Sequence, residues 1–206
     1  MTYVAVDLDR LAAARDVELD AALARLREVY QDVDARNARN TDGLSLPCHR
    51  GCDDCCHESL FLTELEFIAA WQHVQLHLAA EALDDMVRRG LEIYAAQRDL
   101  IEAFSLPEED NAEQRPQLAL RLRDTCPFLG AEGACQVYPA RPLASRLFGC
   151  SFNDERGIYG CDLVGEHLGG RTVTLLPARG TLRRLAPLPL TGQRQVIPFF
   201  IQRLYG

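Results

Sequence analysis

Apolar residues recur at helical spacing from about residue 10 to 38, where Leu11, Leu19, Leu23, Leu26, Val29, Tyr30 and Val33 stand among Ala, Arg, Asp and Glu. A stripe of that period predicts one long amphipathic helix packed on a core. Asn37, Asn40, Asp42 and Gly43 supply its stop, and Pro47 imposes an extended approach to residue 48. Thr63-Glu64-Leu65-Glu66 has the form of a capping box, so a helix should run from about 64 to 80. A second helical stretch, about 81 to 104, buries Leu83, Met86, Val87, Leu91, Tyr94, Leu100 and Ile101, with Arg89-Gly90 as a join or mild break. Residues 105 to 117 are polar, acidic and flanked by proline, which predicts an exposed connection.

From residue 157 the period shortens. Gly157-Ile158-Tyr159-Gly160 and Arg171-Thr172-Val173-Thr174-Leu175-Leu176 read as short strands, separated by turns at Gly169-Gly170 and Gly180. A last helix, about 191 to 204, packs Val196, Ile197, Phe200, Ile201 and Leu204. The chain has no internal repeat and no regular βαβ alternation. The expected fold is mainly α with a small irregular Cys-rich centre and a few short C-terminal strands (α+β), as a single domain over residues 1–206.

Composition fits such a domain: 206 residues, 48% hydrophobic and 25% charged, are enough to bury a substantial core. A formal charge of −8 argues against a broad basic surface for nucleic acid or anionic membrane. All 22 basic residues are Arg, which excludes a Schiff-base or P-loop lysine. The N-terminal residues lack the form of a signal peptide and no later stretch reaches membrane-spanning length, so the expected location is the cytoplasm. In that reducing compartment, clustered thiols favour ligation over disulfides.

Four of the eight cysteines fall in Cys48-His49-Arg50-Gly51-Cys52-Asp53-Asp54-Cys55-Cys56. Steps of three and four residues let neighbouring sulfurs turn toward one ion or cluster, and Gly51 permits the backbone turn that joins Cys48 to Cys52. The adjacent pair Cys55-Cys56 is different, because neighbouring side chains diverge. One sulfur can ligate while the other packs, or each can serve a different centre. Cys126 and Cys135 bracket a second loop, and Cys150 and Cys161 follow in a Gly-rich segment. The Cys-rich metal-binding core therefore spans about 44–165, with its first run as one half of a split site completed by Cys126 and Cys135. His49 and His57 flank the run as nitrogen donors, outer hydrogen-bond donors or plain surface residues. His73 and His77 have the one-turn spacing of a chelating pair but lack the glutamate of HExxH, and read as a solvated or core-edge pair.

The CxxxCxxCC run, the helix opening Leu62-Thr63-Glu64-Leu65-Glu66, then Cys126-Pro127-Phe128-Leu129, Gly133-Ala134-Cys135-Gln136-Val137-Tyr138 and Arg141-Pro142 together resemble the YkgJ-type cysteine-cluster family, described as a zinc- or iron-chelating domain. The resemblance covers about residues 44 to 150. It implies that Cys48, Cys52, Cys55, Cys56, Cys126 and Cys135 ligate metal, with Cys150 and Cys161 as the two remaining candidates. Where the family places a further cysteine after the RP pair, this chain has Ser145. A hydroxyl is a poor substitute for a thiolate, so one ligand is lost or Cys150 replaces it.

Four thiolates complete a tetrahedral Zn²⁺ site or hold one iron–sulfur cluster, and eight can serve two centres. Sulfur ligation argues against Mg²⁺ and Ca²⁺. Arg50, Arg141 and Arg146 are candidates to offset the charge of an anionic cluster, or are ordinary ion-pair residues. Loop rigidity explains Pro139 and Pro142, with a role in aiming Cys135. The expected function is a metal-binding protein, with an iron–sulfur cluster favoured over Zn²⁺, in electron transfer or metal handling with a protein partner. One alternative is a zinc-stapled protein-interaction module. Another is a radical S-adenosylmethionine enzyme, which Cys48, Cys52 and Cys55 fit by spacing; Asp54 in place of an aromatic residue and the absence of a βα-barrel pattern count against it. No nucleophile, base and pocket are nameable together, and enzyme status stays open.

Overall fold

The computed structural model describes residues 3–47, 51–105, 115–122, 125–169 and 173–206. Cys48, His49 and Arg50, most of the acidic connection and the start of the expected strand at 171–176 lie outside the described residues.

The first helical stripe is two helices, α1 (Leu8–Ala13) and α2 (Leu19–Asn40). Periodicity alone predicts one, but Asp16 takes φ +56° and turns the chain between them. Each helix starts on an acidic side chain that accepts a backbone N–H, Asp7 from Arg10 and Glu18 from Ala21. Leu19, Leu23, Leu26, Tyr30 and Val33 form the buried face of α2.

The capping box is formed as expected. Thr63 caps α3 (Glu64–His77), its hydroxyl accepting from Glu66 N, while the Glu66 carboxylate accepts from Thr63 N. Helix α4 (Ala80–Ala103) follows almost directly. The expected break at Arg89-Gly90 is absent, and the irregular backbone lies at Gln97 instead. Gly90 serves close packing: a Cβ there would sit 2.4 Å from Cδ1 of Ile201, on the helix laid across α4. Beyond the undescribed segment comes α5 (Arg115–Arg121).

Strand content differs from expectation. Strand β1 (Phe61–Thr63) precedes α3 and pairs antiparallel with β4 (Arg194–Val196), Leu62 facing Gln195. Val196, expected in the last helix, therefore belongs to a strand, and that helix, α9, spans Ile197–Tyr205. Gly157–Gly160 forms no strand; one isolated bridge joins Ile158 to Phe152. Phe152 belongs to β2 (Ser151–Phe152), parallel to β3 (Leu176–Pro177). The other elements are α6 (Leu143–Leu147), α7 (Asp162–Leu168) and α8 (Ala178–Leu182), which contains Gly180 rather than turning at it. The architecture is mainly helical with two very short sheets.

Stacked rings centre the core: Phe67 against Trp71 at 5.3 Å and against Phe200 at 4.9 Å. Beside them lies a buried polar knot. The Glu66 carboxylate, 1% exposed, accepts from Thr63 N at 2.9 Å, Thr63 Oγ1 at 3.0 Å, Tyr30 Oη at 3.3 Å and Leu143 N at 2.7 Å. It thereby joins α2, β1, α3 and α6. Burial, and next the Glu66 charge, hold the Tyr30 hydroxyl well above its usual pKa, so it remains a donor.

Removing only the cap, Thr63→Ala, should cost about 1 kcal/mol. Glu66→Ala strands the Tyr30 hydroxyl and two backbone N–H groups, and should cost about 3 kcal/mol or more. Urea denaturation of the two variants checks the order; equal losses would show that the carboxylate acts only as a cap.

Candidate metal centre

The two cysteine motifs meet through the backbone. Cys126 N donates to Cys56 O at 2.7 Å, at the end of the single 3-10 turn Asp54–Cys56. Gly51 opens the described part of the first run at φ +91°, consistent with its expected turn. From Cys126 the chain forms a small hairpin, with Gly130 N donating to Ala134 O at 2.9 Å and Gln136 N to Phe128 O at 3.0 Å. Its Phe128 is 1% exposed and packs on Trp71, so the loop carrying Cys126 and Cys135 is fixed to the core.

Four thiols lie together at this junction. Cys55 and Cys56 are hydrogen-bonded to one another, Cys56 is hydrogen-bonded to Cys126, and Cys135 interacts electrostatically with both Cys55 and Cys56. Both members of the adjacent pair thus enter one group, although their side chains were expected to diverge. The hydrogen bond to Cys126, added to burial, pushes the Cys56 thiol up to about 12. The bond to Cys56 and then burial push Cys55 well above its ordinary range. Burial raises Cys135 as well. Without a cation Cys55, Cys56 and Cys135 hold their protons, because thiolates packed together in a low-dielectric site repel one another.

Cys52, Cys150 and Cys161 form a second neighbourhood. The Cys161 thiol, 6% exposed, donates to Asp54 Oδ2 at 3.5 Å and interacts electrostatically with Cys52. Cys150 interacts with Cys161, and burial is the main cause raising its pKa. Gly149 makes that approach possible: at φ +68° its missing Cβ would stand 2.8 Å from Val164 Cγ2 and 3.6 Å from Cys161 Cβ. Cys150 therefore belongs beside Cys161. Asp54 links the two neighbourhoods through the backbone of the 3-10 turn that also carries Cys55 and Cys56.

The arginines divide. Arg141 lies over the Tyr138 ring at 4.0 Å, and its charge favours the thiolates of Cys55, Cys135 and Cys150. Its Nε is buried and, among the described residues, has no hydrogen-bond partner. Arg146 has a framework role. It is 5% exposed, stacks on Tyr30 at 4.1 Å, pairs with Asp34 of α2, and donates to the carbonyls of Arg141 at 2.9 Å and Pro139 at 2.7 Å. The Tyr138–Ala140 3-10 turn between Cys135 and α6 is held by that guanidinium.

His57 is exposed and pairs with Asp53 at 3.2 Å, the surface role among its three expected ones. His73 and His77 sit ring to ring, centroids 4.6 Å apart, on the last turns of α3. His73 is half-buried and His77 exposed, matching the core-edge expectation. Burial and then the His77 charge lower the His73 pKa, opposed by the nearby Gln136 backbone. Beside Cys126, a cleft of about 40 Å³ reaches Leu60, Ile93 and Ile197.

Among the described residues, no three His, Cys, Asp or Glu side chains already form a cage for a metal ion. The donor set nevertheless fits a thiophilic centre: buried and half-buried sulfurs on a fixed frame, with an unpaired arginine nitrogen suited to an anionic assembly. A bound centre would supply Lewis acidity or electron storage. The chain's own contribution there would be to release thiol protons and to balance charge through Arg141.

A family model described as "CxxCxxCC: Putative zinc- or iron-chelating domain" matches residues 47–160, more than half of the chain. The chain belongs to this family, and its cysteine-based chemistry is that of a zinc- or iron-chelating domain. The matched span contains every cysteine except Cys161. No curated protein and no solved structure matches the chain. No helix among the described residues is long and apolar enough to cross a membrane.

Thiol burial fixes the sign of a pH effect. An unfolded thiol ionises near 9.0, whereas folded Cys56 keeps its proton to about 12. Between these values the unfolded chain binds fewer protons, so the metal-free protein should lose stability as pH rises above about 9. Urea midpoints at pH 7.5 and 10 should show that loss, and Cys56→Ala should reduce it. An unchanged slope in the variant would contradict the proposed proton retention.

Proposed function

We propose that the chain carries an iron–sulfur cluster at Cys55, Cys56, Cys126 and Cys135 and works in electron transfer or metal handling with a protein partner. The observation that supports this reading is the placing of Arg141, its Nε buried and unpaired, where its charge favours the thiolates of Cys55 and Cys135. A guanidinium beside a thiolate-ligated cluster offsets its negative charge and raises its reduction potential. Cys52, Cys150 and Cys161, with Cys48 from the same run, make up the other half of the eight candidate ligands. In this reading Cys150 serves that half, beside Cys161, and does not stand in for the cysteine missing at Ser145 within the first group. A location in the cytoplasm, where thiols stay reduced, accords with the seven described cysteines being unpaired.

Zinc is the second reading, since Zn²⁺ accepts the same four thiolates. Its structural role would differ from that in a finger peptide, because the aromatic and aliphatic core lies largely apart from the thiols.

Anaerobic purification, followed by iron, zinc and acid-labile sulfide analysis with a visible spectrum, decides between them. Iron with sulfide and broad visible absorbance is the expected result; zinc alone, unchanged by anaerobic handling, would select the stapled module. Cys126→Ala should remove the metal of the first group, and Cys52→Ala should also lower total content. Cys150→Ala should leave the first group loaded. Full metal content in both Cys126→Ala and Cys52→Ala would refute the assignment.

A further inference from the structure

We propose that the cleft between α2 and the segment following β3 binds the phosphate group of a small organic molecule, held by Arg36 and Arg184. No cysteine contributes to it.

The cleft measures about 310 Å³, the size of a small-ligand pocket, and is lined by Arg36, Leu176, Pro177, Gly180, Thr181 and Arg184. Its two cations come from elements far apart in the sequence. Arg36 stands on α2 and Arg184 on the 3-10 turn Arg183–Leu185. Both pair with one oxygen, Asp32 Oδ2, Arg36 through Nε at 2.9 Å and Arg184 through Nη1 at 2.6 Å. Each element is anchored in the core beside its arginine, by Val33 at 0% exposure and Leu185 at 1%. The shared carboxylate thus holds two guanidiniums together at the cleft before any ligand arrives.

One carboxylate does not exhaust them. Two guanidiniums against Asp32 alone leave one net positive charge, and among the described residues neither arginine side chain has a second partner. Each therefore keeps N–H groups to donate. Like charges so close repel, and an anion placed between them relieves the repulsion. Guanidinium forks suit carboxylate and phosphate alike. A carboxylate is filled by one fork, whereas a phosphate has oxygens for two forks and for a hydroxyl such as that of Thr181, a residue 6% exposed that lines the cleft. Leu176 and Pro177 give the apolar wall for an organic remainder.

The wider field has the same sign. Residues 167–206 contain Arg171, Arg179, Arg183, Arg184, Arg194 and Arg203 but no Asp or Glu, in a chain of formal charge −8. Strand β3, one wall of the cleft, pairs with β2, Leu176 facing Ser151, and Ser151 directly follows Cys150. A bound phosphate compound would therefore lie one strand away from the second thiol neighbourhood.

The test titrates the full chain, as purified with its metal, by calorimetry in phosphate-free buffer with phenyl phosphate, inorganic phosphate and benzoate. Phenyl phosphate should bind one to one and more tightly than the other two. Arg36→Gln and Arg184→Gln should each weaken it about tenfold or more. Arg203→Gln, in the same basic segment but outside the cleft, should leave it unchanged. No binding to wild type, or undiminished binding to Arg36→Gln, would overturn the proposal. An equal loss in Arg203→Gln would also overturn it, by showing diffuse attraction rather than a site. Equal affinity for inorganic phosphate would overturn the organic ligand in favour of free phosphate, and equal affinity for benzoate would overturn the choice of phosphate. The Arg36 side chain is 51% exposed, so its replacement should leave the circular dichroism unchanged, which keeps the test decisive even where Arg184→Gln loosens the fold.

Discussion

A buried carboxylate must be given donors or it becomes a liability, and the Glu66 side chain is given them by its own cap and by two distant parts of the chain. Thr63 belongs to the local cap, Tyr30 to α2, and the Leu143 amide to the start of α6. Satisfying this one group therefore fixes the relative positions of the helices that frame the cysteines. Arg146, four residues into the segment that begins at Pro142, extends the frame: it reaches back to Asp34 and forward to the carbonyls of Pro139 and Arg141. The loop leaving Cys135 has little freedom as a result. Arg141, the residue that faces the thiols, sits where that loop is clamped.

This frame separates the protein from a metal-dependent finger. In a finger, ligation supplies most of the folding free energy, ~10 kcal/mol or more. Here the aromatic stack of Phe67, Trp71 and Phe200, the α4–α9 contact through Gly90, and the Glu66 knot need no ligand. Cys55 and Cys56 are instead a local burden, since crowding and burial hold them protonated and far from the thiolate state that ligates a metal.

Local signals survived the passage from sequence to structure, and pairings between distant residues did not. The capping box at Thr63 and Glu66 was legible because all its donors and acceptors lie within four residues. That the same carboxylate also serves Tyr30 and Leu143 was not, because local sequence carries no sign of those partners. Asp16 broke the first helix through a left-handed backbone that an apolar stripe does not reveal. Val196 fits the stripe of the last helix equally well, yet pairing with Phe61 makes it a strand. The eight cysteines were legible as candidates because the chemistry demands that residue type. Their division, with Cys55, Cys56, Cys126 and Cys135 on one side and Cys52, Cys150 and Cys161 on the other, depends on the fold.

That division changes what the adjacent pair Cys55-Cys56 means. Neighbouring side chains on an extended strand point apart, which would send the sulfurs to separate centres. The 3-10 turn Asp54–Cys56 curls the backbone instead, and the Cys56 carbonyl is fixed by the Cys126 amide as the turn ends. Both sulfurs then fall within reach of the second motif. Asp54 opens the same turn and points to Cys161. One tight turn thus faces both neighbourhoods, and the two groups share that backbone element.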